Sequence, residues 1–139
     1  MLCIVFAMSC GSVRTIKFKE GRGSQQVKYL MDIPKGYELF VVTGGHEREL
    51  RFIYPDSSVI YITNDDKSGG AVNTVKAKEY GEGIYLKILS SDTLDISGND
   101  AGKYWGEQKR DKVVVGYINV HPSLKEKYDK VLSTLRIKE

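Results

Sequence analysis

The stretch YELFVVTGGHERELRFIYPDSSVIYIT, residues 37–63, decides the fold. It contains three runs rich in strand-forming residues, 37–43, 48–54 and 58–63, separated by GG and PDSS, which are typical turn sequences. In the second run, Leu50, Phe52 and Tyr54 alternate with Glu49 and Arg51. This period of two is typical of a sheet with one buried and one solvated face. The stretch therefore predicts an antiparallel β-meander.

The same pattern continues beyond the meander. Residues 63–70 form a polar break, and residues 71–80 are compatible with either a short helix or an irregular segment. Further strands are predicted at residues 84–89, 93–96, 103–108 and 112–120, with KRDK, residues 109–112, as a tight hairpin turn. The predicted sheet is antiparallel throughout.

The C-terminal segment predicts an amphipathic helix. Ser123 and Glu126 have the spacing of a capping box. An apolar stripe at helical spacing follows, and this helix is predicted to pack on one face of the sheet: Leu124, Tyr128, Val131, Leu132 and Leu135. A weaker helical candidate covers residues 24–31 and ends before Pro34. The predicted fold class is α+β, mainly antiparallel sheet.

The amino-acid composition limits the classes to which the protein can belong. A chain of 139 residues with 41% apolar and 28% charged residues is the size and type of one globular domain. The net charge is +3, and residues 12–36 carry six basic side chains against Glu20 and Asp32. This density of positive charge is too low and too scattered to predict a nucleic-acid partner.

The first thirteen residues carry no charge, and both cysteines, Cys3 and Cys10, lie within them. The folded body therefore lacks the cysteines that a disulfide framework or a thiolate zinc site would need. The apolar run of residues 2–8 is too short to span a bilayer, which needs about 20 residues, but it fits the apolar core of an export signal.

Ala7, Met8, Ser9 and Cys10 resemble the end of a bacterial lipoprotein signal, in which small residues lead into a cysteine. The resemblance implies cleavage between Ser9 and Cys10 and a lipid on the Cys10 thiol. The chain departs from the family pattern because Ala7 stands where leucine is usual and no basic residue precedes the apolar run. The competing interpretation is a buried N-terminal strand in a cytoplasmic protein.

The lipoprotein resemblance implies a division of the chain. Residues 1–9 would be a signal remnant, residues 10–26 a tether from the lipid anchor, and residues 27–139 a single α+β domain. Gly11 after the cysteine resembles lipoproteins that reach the outer membrane rather than the inner one. The basic residues of the tether would then lie within reach of lipid headgroups, or be merely solvated.

The sequence contains few residues suited to catalysis or metal binding. The two histidines, His46 and His121, lack a second ligand at metal spacing, and no hydrolase, phosphate-loop or zinc-protease motif occurs. Residues 95–107 resemble a calcium loop but lack its glycine and its terminal acid at the required positions. No metal and no cofactor is predicted.

Binding is therefore predicted in place of catalysis. An exposed aromatic side chain beside polar loops can stack on a sugar or anchor a partner. On this basis the candidate binding residues are Tyr104, Trp105, His46, Asn99 and Asp100. The competing interpretation places Trp105 in the core and Tyr104 at its rim.

The predicted function is that of an exported, lipid-anchored envelope protein with a non-catalytic role, either binding an envelope protein or a glycan or serving as a structural subunit of an envelope assembly. The alternative is a small envelope hydrolase that uses His46 with Glu47 and Glu49. At the level of fold, IPKGY at residues 33–37 and the terminal helix resemble the photosystem-assembly and Ran-binding sandwiches called PsbP-like and Mog1-like. Likeness of fold does not imply a function.

Overall fold

The computed structural model describes residues 12–45, 47–65 and 93–139. Within these ranges the strands are β1 Val13–Glu20, β2 Val27–Pro34, β3 Glu38–Gly44, β4 Glu47–Ile53, β5 Val59–Thr63, β6 Thr93–Asp100, β7 Lys103–Arg110, β8 Val113–Val120 and β9 Arg136–Ile137. One α-helix, α1, covers Lys125–Ser133, and short 3₁₀ turns cover Gly23–Gln25 and Pro122–Leu124. The described part is mainly antiparallel sheet with one short helix, as predicted.

The described strands β3 to β8 form a sheet in the order β3-β4-β5-β8-β7-β6, antiparallel at every pairing. The predicted meander is confirmed as β3, β4 and β5, and the predicted KRDK hairpin joins β7 to β8. Pairing of β5 with β8 joins the two antiparallel units into one sheet. The predictions for residues 71–80 and 84–89 lie outside the described residues.

A second sheet, in the order β1-β2-β9, overturns two predictions about the N-terminal quarter. The helix predicted for residues 24–31 is wrong, because this segment is a 3₁₀ turn followed by β2. The tether predicted for residues 10–26 is wrong for residues 13–20, which form β1 and pair with β2 along its whole length. Apolar residues alternate in both segments, and pairing between them satisfies the backbone groups that a free tether would leave to water.

The main core lies between the two sheets and α1. The small sheet contributes Ile16, Phe18, Tyr29, Met31 and Ile33, all buried. The large sheet and α1 supply the other buried members: Leu50, Phe52, Tyr54, Ile60, Ile62, Val113, Val115, Tyr117, Val120, Tyr128, Val131 and Leu132. The three central members of the predicted helix stripe are thus confirmed as core, and Leu124 and Leu135 pack at its edge.

The start of the helix differs from the prediction. Ser123 does not cap α1, which begins at Lys125 without a side-chain cap. Instead, the His121 Nδ1 atom accepts a hydrogen bond from the Ser123 backbone N–H at 3.2 Å and caps the preceding 3₁₀ turn. Pro122 favours this turn because its fixed φ suits the first position of a helix. The capping box is therefore replaced by a histidine cap.

Candidate functional site

Trp105 is not available to a ligand. Its side chain is 1% exposed and packs with Tyr61 and Val114 in a second apolar cluster on the outer face of the large sheet, the face turned away from the small sheet. The prediction of Trp105 as a binding residue is therefore wrong. Tyr104, its neighbour in β7, points to the opposite face, where it packs at the edge of the main core.

Tyr104, Asn99 and Asp100 share one end of the β6–β7 hairpin, where Asn99 pairs with Tyr104 and Asp100 with Lys103. The Asn99 side-chain oxygen accepts a hydrogen bond from the Gly102 N–H at 3.0 Å. The two turn residues both have positive φ, 50° at Ala101 and 82° at Gly102, as a tight hairpin requires. Asn99 thus has a structural role in this turn.

Tyr104 is half-buried, and the Lys125 ammonium lies 5.7 Å from the centre of its ring. This geometry suits a cation–π contact at the rim of the core. The predicted site residues His46, Ser9 and Cys10 lie outside the described residues. The structure therefore brings together part of the predicted binding set and removes Trp105 from it.

The outer face of the large sheet carries a buried polar network. The Tyr61 hydroxyl donates a hydrogen bond of 2.5 Å to the Glu107 carboxylate, and both side chains are buried. Burial raises the pKa of Tyr61 well above its ordinary value, and the Glu107 charge raises it further. The hydroxyl therefore stays protonated and acts as a hydrogen-bond donor.

Glu49 also lies on this face, which the alternation of residues 48–54 predicts to be solvated, but its side chain is only 7% exposed. The Arg51 guanidinium donates to its carboxylate at 2.5 Å, which compensates the buried negative charge. A cavity of about 280 Å³ opens beside this pair, lined by Val42, Thr43, Gly44, Glu47, Arg48, Glu49, Arg51, Thr63 and Asp65. In the described part of the chain, no three His, Cys, Asp or Glu side chains converge as metal ligands.

The outer face of the small sheet carries a different surface, here named the basic face: Lys17, Lys19, Lys28, Arg136 and Lys138. Because Ile16 and Phe18 of β1 point into the core, Lys17 and Lys19 point away from it. Lys28 pairs with Lys19 across the sheet, and the Lys138 N–H donates to the Lys28 carbonyl at 2.8 Å. Lys19, Lys28 and Lys138 therefore lie side by side, in β1, in β2 and directly after β9.

One acid lies among these cations. The Asp32 carboxylate accepts hydrogen bonds from the Thr15 hydroxyl at 2.7 Å and from the Arg136 guanidinium at 3.2 Å. These two contacts hold the pKa of Asp32 below its usual range. The negative charge of Asp32 compensates the positive charge of Arg136. The net positive charge of the basic face therefore comes from its four lysines.

The lysines repel one another. The Lys138 charge lowers the pKa of Lys17, with smaller contributions from desolvation, Lys28 and Lys19. Like charges that face each other across a sheet reduce its stability, and an anion bound to this face would remove that cost. The basic face is the best candidate binding surface of the described structure.

Sequence reasoning found only part of this surface. Lys17, Lys19 and Lys28 are among the six basic residues of the segment 12–36, but no local pattern places Arg136 and Lys138 beside them. The alternation in TIKFK, residues 15–19, was the signal that could have identified β1 and the outward direction of its lysines.

Comparison with protein-family models, with curated proteins and with solved structures gives no match. The resemblances to lipoprotein signals and to PsbP-like and Mog1-like sandwiches therefore stay predictions. Across residues 12–45, 47–65 and 93–139, no helix has both the length and the apolar character needed to cross a membrane.

Proposed function

We propose that the chain is exported, cleaved after Ser9 and lipidated on Cys10, and that it has a non-catalytic role at the envelope membrane. In this proposal the basic face binds anionic phospholipid headgroups of the membrane that holds the anchor. The observation that carries it is the cluster of Lys17, Lys19, Lys28, Arg136 and Lys138 on the sheet whose first strand begins three residues after Cys10.

The short connection supports this orientation. Three residues span at most about 11 Å, so a lipid on Cys10 would hold Val13, the first residue of β1, close to the headgroups. Electrostatic attraction to an anionic surface decays over about 8 Å at physiological salt, so the lysines contribute only if their face lies near the surface. Anchor and basic face would together hold the small sheet against the membrane.

This orientation determines which way the cavity beside Glu49 and Arg51 points. The small sheet covers the inner face of the large sheet, so contact through the basic face turns the outer face of the large sheet away from the membrane. The cavity beside Glu49 and Arg51 then faces the solvent. A partner protein could reach that side while the domain stays on the membrane.

Metabolic labelling tests the anchor. A bacterium that expresses the chain with a fatty-acid analogue should produce a labelled protein in its membrane fraction. Cys10→Ala should abolish the label, and the matched variant Cys3→Ala should keep it, because Cys3 belongs to the removed signal. A cytosolic, unlabelled product would contradict export and lipidation.

Vesicle co-sedimentation tests the basic face separately, with the full-length Cys10→Ala chain so that no lipid contributes. Phosphatidylglycerol-rich vesicles should bind it, and phosphatidylcholine vesicles should not. Lys17→Glu with Lys28→Glu should lower the partition coefficient at least about tenfold. The control pair Lys103→Glu with Lys112→Glu changes the net charge equally but lies outside the basic face, and it should lower binding far less.

Two results would reject the headgroup proposal. Equal losses in the two charge-reversal variants would show that net charge, and not the basic face, governs binding. Binding to an anionic polysaccharide without binding to anionic vesicles would reassign the basic face to a glycan.

A further inference from the structure

Strand β3 exposes four consecutive apolar side chains at an edge of the large sheet. Leu39 is 53%, Phe40 56%, Val41 48% and Val42 39% exposed. Because side chains alternate along a strand, Leu39 and Val41 lie on one face and Phe40 and Val42 on the other. Ile53 of the adjacent strand β4, also partly exposed, extends the second surface.

The other edges in the described part of the chain are protected. β1 carries Arg14, Lys17 and Lys19, and β6 carries Asp95 and Asp100. Charges on an edge strand oppose pairing with another chain, and β9, at the third edge, is only two residues long. β3 has a single charge, Glu38, at its first position. Within the described residues, β3 is the edge that lacks this protection.

We infer that β3 pairs with β3 of a second copy of this chain, antiparallel, about a two-fold axis normal to the sheet and centred on Val41. Such an axis keeps equivalent faces on the same side of the joined sheet. Centring on Val41 pairs all seven residues of the strand. The inference is independent of the proposed lipid anchor and of the basic face.

This pairing suits the side chains. Phe40 of one copy lies opposite Val42 of its partner, Leu39 lies opposite Thr43, and the two Val41 residues face each other. A strand that pairs with β3 lies beside it, so its side chains flank those of β3 on both faces of the joined sheet. Apolar side chains on both faces of the partner suit this contact, and β3 itself has them. Apolar cross-strand pairs of this kind stabilise antiparallel sheets.

The single charged residue of β3 also permits this pairing. Glu38 of each copy lies opposite Gly44 of the partner, so no two charged side chains face each other across the new strand pair. Alternate backbone N–H and C=O groups of an edge strand point away from its neighbour, and the second copy supplies their partners. A second copy of β3 supplies both these backbone partners and apolar side chains beside those of β3.

Sedimentation velocity of the full-length chain over a range of concentrations tests the inference. The native chain should shift from monomer to dimer. Val41→Lys should raise the dissociation constant at least about tenfold, since a lysine at the two-fold axis brings two like charges together. Ile137→Lys, which places the same charge on a 59% exposed apolar residue of β9, should leave the dimer intact.

Cross-linking checks the register. In a chain with Cys3 and Cys10 replaced by serine, Val41→Cys should form a disulfide-linked dimer on oxidation. Directly opposed residues in antiparallel strands have Cα atoms about 4.5 to 5.5 Å apart, which is within the range for a disulfide. Ile137→Cys is the control and should not form a linked dimer.

Three outcomes would overturn the inference: a monomer at every concentration, a dimer that Val41→Lys leaves unchanged, or open-ended aggregates without a defined dimer. Equal urea midpoints for the native chain and the two lysine variants, measured where all are monomeric, would exclude unfolding as the cause of a lost dimer.

Discussion

Strands β1 and β3 are edge strands of similar length, eight and seven residues, but they use their faces differently. β1 buries Ile16 and Phe18 and turns lysines outward, whereas β3 is exposed along its whole length. The small sheet packs on one face of the large sheet but leaves β3 uncovered. Membership of a sheet therefore does not by itself bury an apolar side chain. A second element must cover the face.

The two edges also differ in what they can bind. The lysines of β1 discourage another strand from pairing and favour an anionic ligand, whereas β3 offers an apolar surface and unprotected backbone groups. The molecule thus combines two surfaces of opposite chemistry, one basic and one apolar.

The largest expected effect is the difference in stability between two Phe→Ala variants, one in β1 and one in β3. Phe18→Ala should lower the free energy of unfolding by about 3 to 5 kcal/mol, because the ring is fully buried in the main core. Phe40→Ala should cost less than about 1 kcal/mol in the monomer, because the ring is 56% exposed. Urea titration at low protein concentration measures both. Equal losses would show that β1 and β3 are equally covered.

The second prediction contrasts two glycines. A Cβ on Gly116, in the central strand β8, would overlap the Tyr61 hydroxyl oxygen. Gly116→Ala should therefore cost about 1 to 3 kcal/mol of stability, as overpacking does. Gly44→Ala at the end of β3 is the control, because a Cβ there meets nothing within 4 Å. A neutral Gly116→Ala would mean that the Tyr61 ring moves freely.

The third prediction concerns Asp32, the acid beside the basic face. Its pKa is lower in the folded chain than in the unfolded one, so it stabilises the fold above its unfolded pKa. That contribution should be lost as the pH falls through the folded value. Below about pH 4, Asp32→Asn should therefore lose less stability than the native chain, with a difference under about 1 kcal/mol. Urea titrations at several pH values measure this. An equal loss of stability with falling pH in the native chain and in Asp32→Asn would contradict the prediction.

The smallest expected effect is relief of repulsion on the basic face. Lys17→Gln should raise the melting temperature slightly at low salt, because it removes one of several neighbouring positive charges. The gain should vanish at about 1 M salt, where screening acts within about 3 Å. Lys103→Gln, outside the basic face, is the control. A gain that persists at high salt would point to a cause other than charge.

Sequence patterns predicted the meander well and the N-terminal quarter poorly. In residues 48–54 most apolar residues alternate with polar ones, which is the spacing of a strand. In residues 27–33, by contrast, Val27, Leu30 and Met31 fit a helix while Tyr29, Met31 and Ile33 fit a strand. Pairing with β1 decides between them, and that pairing joins residues up to 21 positions apart, such as Val13 and Pro34. A local pattern does not contain this contact.

The candidate site was predictable only in part for the same reason. The lysines of the basic face come from β1, from β2 and from the residue after β9, which is over one hundred residues from β1. The sequence also allowed either face for Trp105, because adjacent residues of a strand point to opposite sides. In the structure Trp105 lies on the outer face, where it packs with Tyr61 and Val114.

The sequence by itself determined the alternation in the meander, the β7–β8 hairpin and the apolar stripe of α1, since each depends on residues close together in the chain. Only the tertiary structure decided that β1 belongs to the body, that β5 pairs with β8, that the lysines share one face, and that β3 lies open at an edge. The physical reason is that periodicity records which side of a strand is apolar, whereas burial depends on which distant segment covers that side.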